Sequence, residues 1–591
     1  MKQSNVYNSH IRWLLHRLLI LLTSFTFEFC SITESQNKMD SINNESNLLT
    51  QILLFQPNLN CNYSPENLSV VNSVSSVSLT CDANLDQNTV IPKIVSDSYD
   101  LSYPVPNRLI LLPKNPIGEG EFTFLFDFLK DSNGRNLLNA NYSFRIDRTP
   151  PTASTEFDGK LIGTSDLAKG FIEINFSEKM LGSGKISNYQ FEGEASQNLV
   201  ISDIRETSNN QVRLFFLGEP IRTGGELILK ISSLTDLGGN PLTQNRITLN
   251  LIGVKIVATL AKARRQLSSV LVNDRIYIIG GRAAASSATA FATLEVFNTK
   301  TLQVEKEITW GVGIAPAVSE HKATALTDGR ILIAGGRNTS GTSLNTSFLF
   351  DPGNEAEGIP ASFSVGPNLT GARRDFTLHS IGNRHYLIGG TGAVSNTIEV
   401  FSETTSTFQN VFTMQRSRAT SGTGSGSICS SSESSFSVFG ASSISTDVLE
   451  TFNISNSTAT ASTGSVSTES NVVCRLGGSQ LRYVGSGSFA RIWNDSLTVQ
   501  STQFRVDART AYSHFPFSST QDILLGGSVG ANAIDSILLN DWQLGLSKEI
   551  GKLNYLRSAA NFIKMPGENR GFLIGGQYGG ASYNIIEEVK W

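Results

Sequence analysis

Five arginines recur in the second half of the chain, each between 15 and 22 residues before a glycine or glycine pair that ends an apolar strand. Guanidinium groups bind carboxylates and phosphates, so a cluster of them would form an anion site. The alternative is structural, because an arginine also pairs well with an acidic side chain or a carbonyl of the next repeat. The five are Arg265, Arg374, Arg418, Arg509 and Arg557, and His321 with Lys322 occupies this zone in the second repeat.

Other chemistry has little support. The histidines after the first 30 residues lack metal-ligand spacing, and no cysteine–histidine cluster predicts zinc. No serine-nucleophile elbow or phosphate-binding loop occurs. We therefore expect no catalytic residue, no metal and no cofactor.

Composition limits the function classes further. The formal net charge is −4 and charged residues make up 17% of the 591, without a basic tract. Because nucleic-acid binding requires clustered lysine and arginine, nucleic acid is excluded as an expected partner. The 51 glycines suit many short strands joined by turns, so the sequence predicts an all-β protein.

Residues 1–30 resemble an export leader, with Lys2, Arg12 and Arg17 before the apolar stretch 18–27. Ten apolar residues are too few to span a membrane. Cys30 lies where a bacterial lipoprotein would be acylated, although Phe29 is larger than the residue preferred there. We expect export to the cell envelope, at the outer membrane or cell surface, and a lipid anchor on Cys30; a free secreted form and an uncleaved anchor are the alternatives. Residues 31–50 are expected to be a tether.

The other four cysteines fall into two pairs. Cys61 and Cys81 lie in one predicted domain, and Cys429 and Cys474 lie on corresponding strands of neighbouring repeats. In an oxidising compartment either pair could form a disulfide, and buried free thiols are the alternative.

Two domains precede the repeats. Alternating apolar residues predict strands over 69–79, 121–128 and 141–146 in a first β-sandwich, residues 51–148. Asp147-Arg148-Thr149-Pro150-Pro151 marks a boundary, and strands over 171–176, 211–217, 226–231 and 246–251 follow in residues 149–252. The run D-x-T-P-P, the strand ending F-S-E-x-M and the late D-x-x-G-N resemble bacterial Ig-like domains of surface proteins, which implies a spacer or an adhesive module. The first sandwich is assigned to the same class.

From residue 253 one unit recurs: a strand, a tight turn, an apolar strand and a glycine pair. Six intervals over the 295 residues between the first and last pairs average about 49 residues, a period that is typical of four-stranded propeller blades. The glycines are Gly280, Gly281, Gly335, Gly336, Gly389, Gly390, Gly440, Gly485, Gly526, Gly527, Gly575 and Gly576.

These repeats resemble kelch repeats, which implies a seven-bladed β-propeller over residues 253–591. Most repeats lack the tyrosine and tryptophan that kelch repeats carry after the glycines, and Ala441 and Ser486 replace the second glycine in the fourth and fifth. The strand at 254–260 has no partner of its own, so we expect it to close the ring by joining the last blade.

The domain order favours a surface-exposed binding protein, a monomer whose propeller presents loops to a protein or carbohydrate ligand. The arginines would then form a cationic ring at one mouth of the propeller, suited to carboxylated sugars or acidic polymers. The alternatives are a propeller enzyme, of the sugar-acid isomerase or carbohydrate oxidase class, and a purely structural envelope component.

Overall fold

The computed structural model describes residues 58–591 apart from 164, 219–223, 312, 315, 392–393, 419–426, 440–447, 464–472, 478–479, 485–488, 494–499 and 506–508. The predicted leader, tether and Cys30 lie outside the described residues, as do Gly440 and Gly485. The chain divides between Thr149 and Pro150 into two compact units, the turn Leu237–Asn240 being grouped with the first. No helix within the described ranges is long and apolar enough to cross a membrane.

The first domain, residues 58–149, packs two β-sheets around one hydrophobic core. One sheet has the strand order Cys61–Ser64, Val77–Cys81, Arg108–Pro113, Tyr99–Val105. The other has the order Ser69–Val71, Asn141–Ile146, Gly120–Leu125, and the helix is Lys93–Ser98. The single strand predicted over 69–79 is wrong, because the chain crosses between the sheets at 72–76, where Val74 packs on the core.

Disulfides occur in both halves of the chain. One joins Cys61 to Cys81 on neighbouring strands. Cys429 is also disulfide-bonded, and Cys474 lies on the adjoining strand, with its side chain outside the described residues. These bonds exclude the free-thiol alternative for Cys61, Cys81 and Cys429.

Residues 150–252 form a second sandwich with its own core. Its larger sheets have the orders Val200–Ser208, Gln211–Leu217, Phe171–Phe176, Ala153–Thr155 and Tyr189–Glu192, Gly225–Ile231, Arg246–Leu251, Leu161–Ile162. Met180–Leu181 pairs with Thr235–Asp236, and the 3-10 helices are Leu167–Lys169, Ile186–Asn188 and Glu194–Ser196.

Beyond residue 252 the described part of the chain forms seven four-stranded antiparallel sheets, numbered here from inner to outer strand. Sheets 1 to 3 are Ser268–Val272, Arg275–Ile279, Thr293–Asn298, Gln303–Thr309; Lys322–Ala325, Ile331–Ala334, Ser347–Asp351, Ser362–Val365; and Thr377–Ile381, Arg384–Ile388, Thr397–Ser402, Thr407–Thr413. Sheets 4 and 5 are Ser427–Ser431, Ser435–Phe439, Val448–Asn453, Thr458–Thr463; and Val473–Gly477, Gln480–Val484, Phe489–Trp493, Gln500–Arg505. Sheets 6 and 7 are Ser513–Pro516, Gln521–Leu525, Ser536–Asp541, Leu546–Lys552; and Asn561–Lys564, Arg570–Ile574, Ile585–Lys590, Gly253–Thr259.

Short elements complete this region. They are the strands Arg509–Thr510, Ser528–Val529, Asn532–Ala533, Gln577–Tyr578 and Ala581–Ser582, and the 3-10 helices Ser287–Thr289 and Glu355–Glu357.

The pairing predicted for residues 254–260 is confirmed. Gly253–Thr259 runs antiparallel to Ile585–Lys590 and becomes the outer strand of sheet 7. The inner strands of sheets 7 and 1 lie side by side, as do those of sheets 1 and 2, and of sheets 2 and 3. The last sheet therefore adjoins the first.

The glycine pairs join one sheet to the next. The segment that leads into each inner strand is called its linker here. The second glycine donates its N–H to the linker of the next sheet: Gly281 donates to the Val318 carbonyl at 2.9 Å, and Gly336 donates to the Arg373 carbonyl at 2.8 Å. Gly576 of sheet 7 donates to the Arg264 carbonyl before sheet 1 at 3.2 Å, so the last sheet is joined to the first by the same bond. At Gly280, with φ of 54°, an added Cβ would lie 2.5 Å from the Val318 oxygen, so only glycine fits.

A buried arginine fastens each of four linkers to the third strand of its own sheet. Its guanidinium pairs with a glutamate at 2.7–3.0 Å, both side chains being 0–2% exposed. In sheets 1, 3 and 7 it also donates to the carbonyl of the first glycine, at 2.7–3.1 Å. The pairs are Arg264–Glu295, Arg373–Glu399, Arg418–Glu450 and Arg557–Glu587.

Sheets 2 and 6 vary this arrangement. In sheet 2 both partners are replaced together by Val318 and Phe348, which pack in one apolar core. In sheet 6 Arg509 is kept, Leu538 occupies the glutamate position, and the guanidinium donates to Gly526 O at 3.1 Å and to Ser536 Oγ at 2.9 Å. The joint replacement in sheet 2 indicates that the glutamate is not kept without the arginine, whereas in sheet 6 a carbonyl and a hydroxyl replace the carboxylate as acceptors.

The second sandwich packs on sheet 6. Leu161 shares a core with Ile550, and Ser165 Oγ donates to the Glu549 carbonyl at 3.0 Å. Lys548 forms an ion pair with Asp166. Apolar and polar contacts therefore hold this sandwich against the outer strand Leu546–Lys552.

We expect Arg373→Met to lower the free energy of unfolding by about 3–5 kcal/mol, because Glu399 is left buried without its partner. The double variant Arg373→Met/Glu399→Leu should regain part of that loss, since it imitates the apolar arrangement of sheet 2. Urea denaturation followed by circular dichroism measures both.

The control for this series is Arg330→Ala. Arg330 pairs with Asp328 in the solvent, with side chains 39% and 47% exposed, so its loss should change stability by less than about 0.5 kcal/mol. A double variant no more stable than Arg373→Met would contradict the coupling.

Candidate functional site

A cavity of about 720 Å³ opens where the linkers before the inner strands meet the residues after the glycine pairs. Two arginines come from linkers, Arg265 and Arg374, and two directly follow the second glycine, Arg282 and Arg337. We call this cavity the mouth. The corresponding loops of sheets 4 and 5 lie largely outside the described residues.

In the described linkers before sheets 1, 2, 3, 6 and 7, one residue has left-handed backbone. In five linkers its φ lies between 50° and 59°. The N–H of Glu320 donates to Gln266 O at 3.0 Å, and the N–H of Asp375 donates to Glu320 O at 3.0 Å. These bonds join neighbouring linkers and offset the cost of a left-handed conformation in non-glycine residues. The residues are Gln266, Glu320, Asp375, Ala511 and Ala559, and all line the mouth.

Glu320 is the central counter-charge. It is 6% exposed, and its carboxylate lies 3.1 Å from Arg282, 3.4 Å from Arg374 and 3.5 Å from Arg337. Among the described residues of the mouth, four guanidinium groups thus face two carboxyl groups, those of Glu320 and Asp375. The part of the mouth that the structure describes therefore has an excess of positive charge.

Several donors in the mouth have no acceptor among the described residues. They include Nε and Nη1 of Arg282, which is 5% exposed, and Nε of Arg265. Burial lowers the pKa of both arginines. Buried polar groups are normally hydrogen-bonded, so these nitrogens are suited to an anion that enters the mouth.

The second carboxyl group of the mouth, that of Asp375, has a raised pKa. Burial, followed by the neighbouring Glu320, raises the pKa of Asp375 to about 7, against the opposing effects of Lys322 and Arg374. Asp375 also forms a side-chain hydrogen bond with Glu320. A protonated Asp375 leaves the mouth with one negative charge fewer.

The structure divides the five arginines chosen from the sequence. Arg265 and Arg374 lie in the mouth, whereas Arg418, Arg509 and Arg557 are buried in sheets 4, 6 and 7. The single cationic ring of all five is thereby corrected to two mouth arginines and three structural ones. For Arg418 and Arg557 the structural alternative also changes, because their acidic partners, Glu450 and Glu587, belong to the arginine's own sheet and not to the next.

Sequence reasoning missed Arg282, Arg337, Glu320 and Asp375. The first two stand in the repeated run G-G-R of sheets 1 and 2, which was visible in the sequence. Glu320 and Asp375 come two residues after the position of the buried arginine, and only the register of the linkers reveals that they converge.

We expect Asp375→Asn to flatten the pH dependence of stability. The pKa of Asp375 is about 7 in the folded chain against an ordinary value of 3.8, so unfolding releases a proton between these values and stability falls as pH rises from 4 to 7. In thermal denaturation the variant should therefore match the wild type near pH 4 and exceed its Tm at pH 8.

Asp328→Asn serves as the control, since the hydrogen bond and charge of Arg330 lower the pKa of Asp328 and give the opposite dependence. A Tm for Asp375→Asn below that of the wild type at pH 8 would contradict the assignment.

Comparison with known families agrees with this architecture. The family model named Kelch motif matches residues 263–306, which contain the linker of Arg264 and most of sheet 1. No curated protein matches the chain. The motif and the nearly all-β structure support a kelch-repeat β-propeller, and kelch repeats generally mediate interactions between proteins.

Proposed function

We propose that this chain is a cell-envelope binding protein whose propeller binds a carboxylate-bearing segment of another protein at the mouth. The observation that carries the proposal is Arg282, buried in a wall of the mouth with two guanidinium nitrogens that lack acceptors among the described residues. Arg265, Arg337 and Arg374 beside it present further cationic groups to the same space. A carboxylate would satisfy these donors and reduce the excess positive charge.

The contacts between sheets support a ring of seven blades. We infer that the seven four-stranded sheets are blades, closed by Gly253–Thr259 and by the bond from Gly576 to Arg264. In this proposal the two sandwiches are Ig-like spacers, and the protein is an exported monomer anchored through Cys30. The spacers would hold the mouth away from the membrane.

A protein partner is favoured over a carbohydrate by the general role of kelch repeats. The mouth, at about 720 Å³, accommodates several side chains of a partner at once. A carboxylated polysaccharide would offer the same functional group, and a binding experiment can separate the two.

We expect the full chain to bind poly-glutamate with an affinity that falls as salt is added, and not to bind poly-lysine. Arg337→Ala and Arg374→Ala should each weaken poly-glutamate binding about tenfold or more, because each removes a charge-assisted contact. These side chains are 27% and 24% exposed, so the fold should tolerate the changes. Surface plasmon resonance measures the affinities.

Arg330→Ala, which removes an exposed arginine outside the mouth, is the matched control and should bind like the wild type. Polygalacturonate in parallel tests the carbohydrate alternative. Unchanged poly-glutamate binding by both mouth variants would refute the proposed site, and stronger binding of polygalacturonate would reassign the partner class.

We expect the full-length chain to enter the membrane fraction of a bacterial host through an acylated Cys30, and Cys30→Ala to release it. Mass spectrometry of the mature N-terminal peptide should show the acyl chains on that residue. A mature protein that begins elsewhere without a lipid would remove the anchor from the proposal while leaving the mouth untouched.

A further inference from the structure

A second cavity of about 190 Å³ continues from the mouth along the inner strands. The two cavities share the five residues with left-handed backbone, which are Gln266, Glu320, Asp375, Ala511 and Ala559. Its other walls come from residues that follow these in sequence, including His321, Lys322, Tyr512 and Asn561. We call this space the inner chamber. It has about a quarter of the volume of the mouth, so it admits the end of a ligand and not its body.

Lys322 is the cation of the inner chamber. It begins the inner strand of sheet 2, and within the described residues no carboxylate lies at ion-pair distance from its ammonium group. Burial lowers its pKa, and the nearby charge of Asp375 opposes this effect. Asp375 itself titrates near neutrality, so Lys322 lacks a permanent counter-charge.

His321 adds unsatisfied polar atoms to the same wall. Its side chain is 1% exposed, and neither ring nitrogen has a hydrogen-bond partner in the described part of the chain. Burial, followed by the charge of Lys322, lowers the pKa of His321 to about 3, so the ring is neutral. A neutral imidazole offers one donor and one acceptor, so this wall holds one unpaired polar atom of each kind.

We propose that the inner chamber is a second carboxylate subsite, formed by Lys322 and His321, so that the ligand carries two carboxylates on one short chain. The first lies on the mouth arginines and the second enters the chamber beyond Glu320 and Asp375. The inference rests on the proposed function for the first carboxylate. It adds the ligand class: a dicarboxylate, or a protein segment whose acidic groups are spaced like one.

Isothermal titration calorimetry of the full chain at low salt tests this proposal with dicarboxylates from glutarate to suberate and with monocarboxylates of equal chain length. One dicarboxylate should bind at least tenfold more tightly than its monocarboxylate. Lys322→Met should remove that advantage and leave the monocarboxylate affinity within twofold. Lys322→Arg, which keeps the charge, should restore most of it.

Lys564→Met is the matched control, because Lys564 also lies on an inner strand but faces the rings of Phe515 and Trp591 outside the chamber. It should behave like the wild type. Equal binding of mono- and dicarboxylates by the wild type, or an advantage that survives Lys322→Met, would overturn the inner chamber alone. Absence of binding by every carboxylate would overturn the mouth as well.

Discussion

The sheets beyond residue 252 depend on guanidinium groups that are removed from water and held by fixed acceptors. An unpaired buried arginine would be strongly destabilising, so each one requires fixed acceptors: a glutamate in four sheets, joined by backbone carbonyls in sheets 1, 3 and 7, and carbonyls with the Ser536 hydroxyl for Arg509 in sheet 6. In sheet 3, Arg373 bonds to Leu387 O and Gly389 O at 3.1 Å and pairs with Glu399 at 3.0 Å. One side chain thus fastens the linker, the glycine turn and the third strand together.

The same interaction positions the candidate site. Arg264 and Arg373 point into their sheets, so the next residue of each linker, Arg265 or Arg374, lies on the side of the mouth. The residue after that takes the left-handed conformation and brings Gln266 or Asp375 to the shared boundary of the two cavities. Buried arginines and arginines that line the mouth are therefore adjacent in sequence.

Much of this architecture could be predicted from the sequence. The glycine pairs and the continuous apolar strands before them indicated the sheets, because these patterns depend on local backbone requirements. The unpaired strand after residue 252 indicated its pairing with the last sheet. The first sandwich was less predictable: alternation over residues 69–79 could not show that the chain leaves one sheet at Val71 and enters the other at Val77.

The site was harder to predict, since Arg264-Arg265 and Arg373-Arg374 are pairs in which sequence spacing does not decide which member is buried. A usable indication was present in the third strands. Glu295, Glu399, Glu450 and Glu587 each stand at the third position of a third strand and are buried there, where a carboxylate requires a cationic partner. Glu320 and Asp375 gave no such indication, because their convergence depends on how successive linkers bond to each other.

The closing strand also sets the order in which this protein can acquire its structure. Gly253 pairs with Lys590 and Thr259 with Ile585, so the ladder joins segments more than 300 residues apart. During synthesis the earlier sheets emerge with the edge of Gly253–Thr259 unpaired, and sheet 7 can be completed only after residue 590 has been delivered. Until then this edge is available to other chains, so a folding factor that shields exposed strands would act on this stage.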